Sequence, residues 1–306
     1  MDIHTSLSPE LTSLWQDATE HSTHHFPFQT LTWMRAWQEA FAPNGHLMIV
    51  SDAEKKVIAP FGIHESTATL MGAPELTDHE DSIGSDASIT SCWPDIIETL
   101  KTNAVTSLHL TNIWANSPTL TFFKEYPHAT VTQSETTPYM DLPGTWEAYV
   151  ESLPKKERHE LERKLRKFER EHPTVAISTS ETTLDALITL MKLDPRKAAF
   201  FTAPVEQFFR MIPTITPDTT QIMMLTVDGS QAAGVIGFIC DDTYYLYNSG
   251  FDEMNFKGAG FYLKAMNIKW AIENGIKKYN FLRGNERYKY ELGGKDFGVY
   301  TITVAL

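Results

Sequence analysis

Apolar and polar positions alternate along the chain in a way that predicts short strands interleaved with amphipathic helices. Over residues 29–41, QTLTWMRAWQEAF, the side chains Trp33, Trp37, Ala40 and Phe41 fall on one helical face. Two strand-like runs follow, HLMIVSD and KKVIAPFGI, joined by a polar turn at Asp52–Lys55, and a third, TATLMG, ends at Gly72. Residues 73–91, APELTDHEDSIGSDASITS, are acidic and lack a period, so a solvated loop is expected there. A helix returns at WPDIIETLK and a strand at SLHLTNI.

The second half repeats this order. MMLTVDGSQAAGVIGFIC reads as strand, Asp-Gly turn and strand, the signature of a hairpin, and DTYYLYNSG as a third strand ending at Gly250. Phe261, Ala265, Ile268 and Ile272 then recur at helical spacing, and Gly275 closes that helix. Tyr279 to Leu282, YNFL, reads as a short buried strand. The shared order predicts a duplicated α/β domain, with boundaries at 1–142 and 143–306.

The linking stretch predicts one helix over 146–153 and a second opened by Pro154 and stopped by Pro173. From Lys155 to Arg170 there are eight Lys/Arg and four Glu, with only Leu161, Leu165 and Phe168 as an apolar stripe. That is either a solvated helix laced with ion pairs or a basic wall facing an anionic substrate.

Composition narrows the reading. With 306 residues, 42% hydrophobic and 21% charged, the chain has the makeup of a soluble globular protein. The start, MDIHTSLSPELTSLW, is not expected to be a signal peptide, and no apolar run is long enough for a membrane span. Cys92 and Cys240 lie far apart and suit a reducing compartment, so a cytoplasmic location is expected. Residues 1–150 hold 5 Lys+Arg against 19 Asp+Glu, whereas residues 151–306 hold 21 against 20. An acidic first half disfavours general nucleic-acid binding and leaves the second half to carry any anion site. Eleven histidines raise the question of a metal, but His21, His24 and His25 lack a matching carboxylate or cysteine pattern, and no metal is expected. The cluster Asp78–Asp81 has the makeup to bind a divalent cation but is read in preference as a solvated acidic loop.

The chemistry concentrates in NFKGAGFYLKAMNIKWAIENG, Asn255–Gly275. Here a loop with Lys257, Gly258, Ala259 and Gly260 sits between a strand and a helix N-terminus. Unpaired N–H groups and the positive end of the helix dipole meet there, and residues without bulk let a diphosphate approach. The competing reading is a tight bend and nothing more.

The meander followed by N-x-x-G-x-G resembles the acyl-CoA loop of GNAT acyltransferases. Together with SLPKKERHELERKLRKFE, FQTLTWMRAWQEAF and the tail GIKKYNFLRGNERYKYELGG, it looks like the tandem-GNAT group described as BioF2-like or CelD-like acetyltransferases, relatives of the FemABX peptidyltransferases. The chain departs from the family at Asn255, where Gln or Arg is usual, and at Asn280, where Asp is common. The resemblance implies two tandem GNAT-like domains of α/β (α+β) class, each a mixed, mostly antiparallel sheet flanked by helices, with a degenerate first copy. It implies transfer of an acyl group, acetyl expected, from acyl-CoA to an amine of a small molecule, sugar or peptide, without a membrane partner. Asn255, Lys257, Gly258, Ala259 and Gly260 would bind the cofactor. The alternatives are an aminoacyl-tRNA-dependent transferase and a GNAT-fold binding protein without chemistry.

Acyl transfer from a thioester needs a neutral amine, a donor for the oxyanion and a proton for the thiolate. The resemblance implies that the donor carbonyl lies in the splay between the third meander strand and the strand after the loop helix. That makes Tyr247, Asn248, Ser249, Asp252 and Glu253 candidates on one side and Arg283, Glu286, Tyr288 and Lys289 on the other. Tyr288 would protonate the thiolate, and Glu253 or Glu286 would accept the amine proton. Arg283 and Lys289 match the family's R-G and Y-K positions and would orient an anion or stabilise the oxyanion; a surface ion pair with Glu286 or Glu291 is the plainer alternative.

Overall fold

The computed structural model describes residues 1–41, 45–72, 75–179 and 184–306. The chain opens with β1 (Asp2–His4), α1 (Leu11–Glu20) and α2 (Leu31–Phe41), whose Trp33, Trp37 and Ala40 are buried. The first meander is β2 (His46–Asp52), β3 (Val57–His64) and β4 (Thr67–Leu70). Then come α3 (Asp86–Thr102), β5 (Ser107–Trp114), α4 (Pro118–Glu125) and β6 (Ala129–Thr136).

The second half holds β7 (Tyr139–Asp141), α5 (Trp146–Ser152), α6 (Lys155–Glu171) and β8 (Val175–Thr179), then three helices, α7 (Leu184–Met191), α8 (Pro195–Phe200) and α9 (Ala203–Ile215). Its meander is β9 (Thr220–Val227), β10 (Ser230–Cys240) and β11 (Thr243–Phe251), followed by α10 (Ala259–Glu273), β12 (Lys278–Asn280), α11 (Arg287–Glu291) and β13 (Gly298–Ala305). The β9–β10 hairpin turns on Asp228 at φ 49° and Gly229 at φ 80°. Two successive positive φ values give a turn whose twist matches the strands it joins.

Two mixed, mostly antiparallel sheets result, ordered β1-β2-β3-β4-β5-β13-β6 and β7-β12-β11-β10-β9-β8. In each, the third meander strand pairs in parallel with the strand that follows its helix, β4 with β5 and β11 with β12. The compact units are Met1–Thr136 with Phe297–Leu306, and Thr137–Asp296. The C-terminal strand, assigned from sequence to the second domain, therefore sits in the first unit. There β13 pairs with β5 and β6 and buries Val299, Ile302 and Val304.

Three expectations are corrected. Residues 86–91 are helical, because the Ser85 hydroxyl accepts the Ser88 N–H at 3.2 Å and caps α3. The acidic run Asp78–Asp81 is buried rather than solvated. Asp81 accepts hydrogen bonds from the hydroxyls of Ser117 and Thr119 and from the Ser82 N–H, which offset the cost of taking a carboxylate out of water. Finally, α6 keeps the ion pairs expected of a solvated helix, Arg163 with Glu160, Arg166 with Glu162 and Lys167 with Glu171, but its thin stripe is packed. Leu161 and Phe168 are buried, and the Phe168 ring stacks on Tyr262 of α10 at 4.5 Å.

Candidate functional site

The site begins with a parting of strands. Ile236 pairs with Asn248 but Gly237 with Leu246, so Tyr247 is an extra residue, a bulge that bends β11. On the other edge β12 pairs with β11 only over Thr243–Tyr245, and the stretch Leu246–Phe251 has no strand partner there among the described residues. Leu282 at φ 56° and Gly284 at φ 109° turn the chain away after β12. Asn280 steadies that exit, its Oδ1 accepting the Thr137 hydroxyl and the Leu282 N–H, both at 2.8 Å.

Beyond β11 the loop closes on itself before α10. Asp252 accepts the Asn255 N–H at 3.0 Å and its side-chain amide at 2.7 Å, bonds that hold the Asp252 carboxyl below its ordinary range. Gly258, at φ 90°, stands at the N-cap of α10, which has no side-chain cap. A side chain would be strained in that left-handed conformation. Gly260 is required for a different reason, since a Cβ there would lie 2.6 Å from the Phe251 ring.

The amides at this helix start are partly engaged. Gly258 donates to Glu253 Oε2 at 3.2 Å and Ala259 to the Phe256 carbonyl at 3.0 Å. Those of Gly260 and Phe261 have no acceptor among the described residues. They stand at the positive end of a fifteen-residue helix, where the Glu253 carboxylate already takes the Gly258 amide. A cavity of about 360 Å³ opens at this point. It is lined by Glu253, Lys257, Gly258 and Gly260, by Arg163, Lys164 and Lys167 of α6, and by Phe251, Lys264 and Tyr288 among others. Small-ligand sites commonly span about 300–1,000 Å³.

Two lysines give the apolar wall its electrostatics. Lys264 is buried, with Nζ 4.9 Å from the Phe251 ring centroid and 4.6 Å from that of Tyr288. Burial, then the charge of Lys197, lowers its pKa to about 7, with Glu286 pulling the other way. Lys197 of α8 donates to Asn248 Oδ1 at 2.8 Å and to the Ser249 carbonyl, and burial lowers it to about 8. Burial raises the Tyr288 phenol well above its ordinary range, and Glu286 adds to the shift. Burial also pushes both thiols up, Cys240 to about 12, which leaves them weak nucleophiles.

The predicted tail residues form a knot. Lys289 is buried and donates to the carbonyls of Leu282 (3.0 Å), Arg283 and Gly284 (3.2 Å), and it pairs with Glu286 at 2.9 Å. Burial raises the Glu286 carboxyl, but the hydrogen bond and charge of Lys289 outweigh it and leave a net lowering. Arg283 is half-buried within this turn. Lys257, Gly258, Gly260, Glu253 and Tyr288 thus meet on one cavity, and Arg283, Glu286 and Lys289 meet in the turn behind it. Asn255 and Ala259 shape the loop. Sequence reasoning missed Lys197 and Lys264, although a lysine inside the apolar run FYLKAM was a signal that helical periodicity alone passes over.

Residues 155–290 match the family model of the acetyltransferase (GNAT) domain. The matched stretch lies within the second unit. No curated protein matches the chain. Among solved structures, L-PGS from Bacillus licheniformis superposes with a TM-score of 0.67 at 11% identity, over 99% of this chain and 94% of that one. FemX gives 0.64 at 10% identity, over 98% of this chain and 97% of that one. A tandem GNAT protein from the clavulanic acid biosynthesis pathway gives 0.52 at 12% identity, over 98% of both chains. At these identities the likeness concerns the fold, which is that of two GNAT-like units in tandem. Among the described residues no helix is long and apolar enough to cross a membrane, and no group of three or more His, Cys, Asp or Glu is placed to hold a metal ion.

Proposed function

We propose that the GNAT unit moves an acyl group, acetyl expected, from a CoA thioester to an amine of a small molecule, sugar or peptide in the cytoplasm. The observation that carries this reading is the meeting of open helix amides, the cationic face of α6 and the β11 end at Phe251 around one cavity. In this assignment the amides of Gly260 and Phe261 receive the diphosphate, with Lys257, Arg163 and Lys167 as flanking charges. Glu253 stands in for that anion at the Gly258 amide until the diphosphate displaces it.

Tyr288 keeps its proton at neutral pH and delivers it to the leaving thiolate. Glu286, held ionised by Lys289, accepts the amine proton through water. Lys289 and Asn280 act as positioning residues that hold the 282–284 turn open beside β11. Titration calorimetry with CoA and with acetyl-CoA tests the reading: heat saturating below millimolar ligand supports it, and no heat at millimolar ligand removes it. A gel shift with charged tRNA tests the aminoacyl-tRNA route in parallel.

A further inference from the structure

We propose that Lys264 is itself an acyl-acceptor site, taking an acyl group from a thioester lodged in the cavity at the head of α10. The inference rests on the thioester reading above, and three observations carry it further. The amine is enclosed by groups that line the cavity: its Nζ lies 3.5 Å from the Gly260 carbonyl and over the rings of Phe251 and Tyr288. It has no carboxylate within ion-pair distance among the described residues, whereas Lys289 pairs with Glu286 at 2.9 Å and Lys164 with Glu291 at 2.6 Å. The charged groups that act on it are Lys197 from α8, Lys289 and Glu286 from the tail, and Glu253 from the loop. A desolvated lysine beside other cations loses its proton readily, and the neutral amine is the nucleophile.

The step balances within the site. The Nζ lone pair attacks the thioester carbonyl, the C–N bond forms and the C–S bond breaks. The amine proton passes to the departing thiolate, leaving an Nε-acyl-lysine and a free thiol. Acylation removes a buried cation and sets an amide at the cavity wall, so the donor site is narrowed by its own product when acceptor amine is scarce.

The test is peptide mapping by tandem mass spectrometry of the full chain incubated with acetyl-CoA, with CoA calorimetry on the same sample. Lys264 is expected to acylate at least about tenfold faster than exposed Lys257 or Lys278. Its rate should level off above about pH 7 while exposed lysines keep climbing. CoA heat together with labelling of exposed lysines only overturns the inference and leaves the donor reading standing. If the wild-type chain gives no CoA heat, the donor reading falls, and S-acetyl-N-acetylcysteamine, which lacks the nucleotide, decides the inference alone. Selective labelling of Lys264 by that probe upholds it, and labelling elsewhere only overturns it.

Discussion

The helix after the meander begins in opposite ways in the two units. In the first, α3 is capped by the Ser85 hydroxyl, and the loop ahead of it is packed with the buried Asp78–Asp81 run. In the second, α10 starts from a left-handed glycine with no side-chain cap, and two of its amides, in residues that line a cavity, have no acceptor among the described residues. The frame is shared: three antiparallel strands, a helix, then a strand in parallel with the third. The lesson is that a helix start becomes a ligand site only where the protein leaves its N–H groups unpartnered. Charge follows the same division, with 5 Lys+Arg against 17 Asp+Glu in the first unit and 21 against 22 in the second.

The two units should respond to pH in opposite senses, and this is the largest expected effect. Burial raises Asp81 from 3.8 to about 6, so the folded first unit holds that proton more tightly than the unfolded chain. The stabilisation is full below pH 3.8 and lost as pH rises through about 6. Lys264 is lowered from 10.5 to about 7, so its contribution is full above pH 10.5 and lost as pH falls through about 7. Asp81→Asn should remove about 3 kcal/mol of pH dependence from the first unit. Lys264→Met should flatten the rise in the second. Hydrogen exchange on peptides from each unit reads the two slopes separately, and slopes of the same sign would break the comparison.

Next in size is Gly260→Val, which drives a Cβ into the Phe251 ring. We expect a loss of about 2 kcal/mol in CoA binding, roughly thirtyfold in Kd. Its counterpart Gly72→Val, at φ 135° and 2.8 Å from Thr77 Oγ1, should lower the melting temperature and leave CoA calorimetry unchanged. Smaller is the cap exchange. Ser85→Ala should cost about 1 kcal/mol of stability in urea titrations without touching CoA affinity. Gly258→Ser, carrying a cap into a left-handed position, should weaken CoA as well as the fold. The smallest is Glu253→Gln, which takes a competing anion off the α10 terminus. CoA should bind about two- to fivefold tighter, in line with about 0.3–1 kcal/mol for a charge at a helix end. Weaker binding would mean that Glu253 serves the ligand rather than standing in for it.

Strand and helix order was legible wherever one apolar face repeats at a fixed period. The runs at 46–52 and 107–113, the Asp-Gly hairpin and the glycine loop all fall on the elements read from them. The 78–81 run was not, because its burial depends on Ser117 and Thr119, more than thirty positions away. For the same reason α6 reads as polar: its two buried side chains are few, and their partner Tyr262 lies in α10. Within the candidate site, the glycines could be picked out by local pattern and Tyr288 by the family resemblance of the tail. Lys197 could not, and Lys264 left only its place inside FYLKAM as a sign. Only the folded chain surrounds Lys264 with aromatic rings and sets Lys197 against β11 carbonyl and amide oxygens.

The C-terminal strand has a consequence for biosynthesis. Because β13 fills the slot between β5 and β6, the first sheet lacks its penultimate strand, and β6 has no place to pair, until residues 298–305 have left the ribosome. The first unit is thus completed only after the second has been made, and until then β5 and β6 each keep an open strand edge.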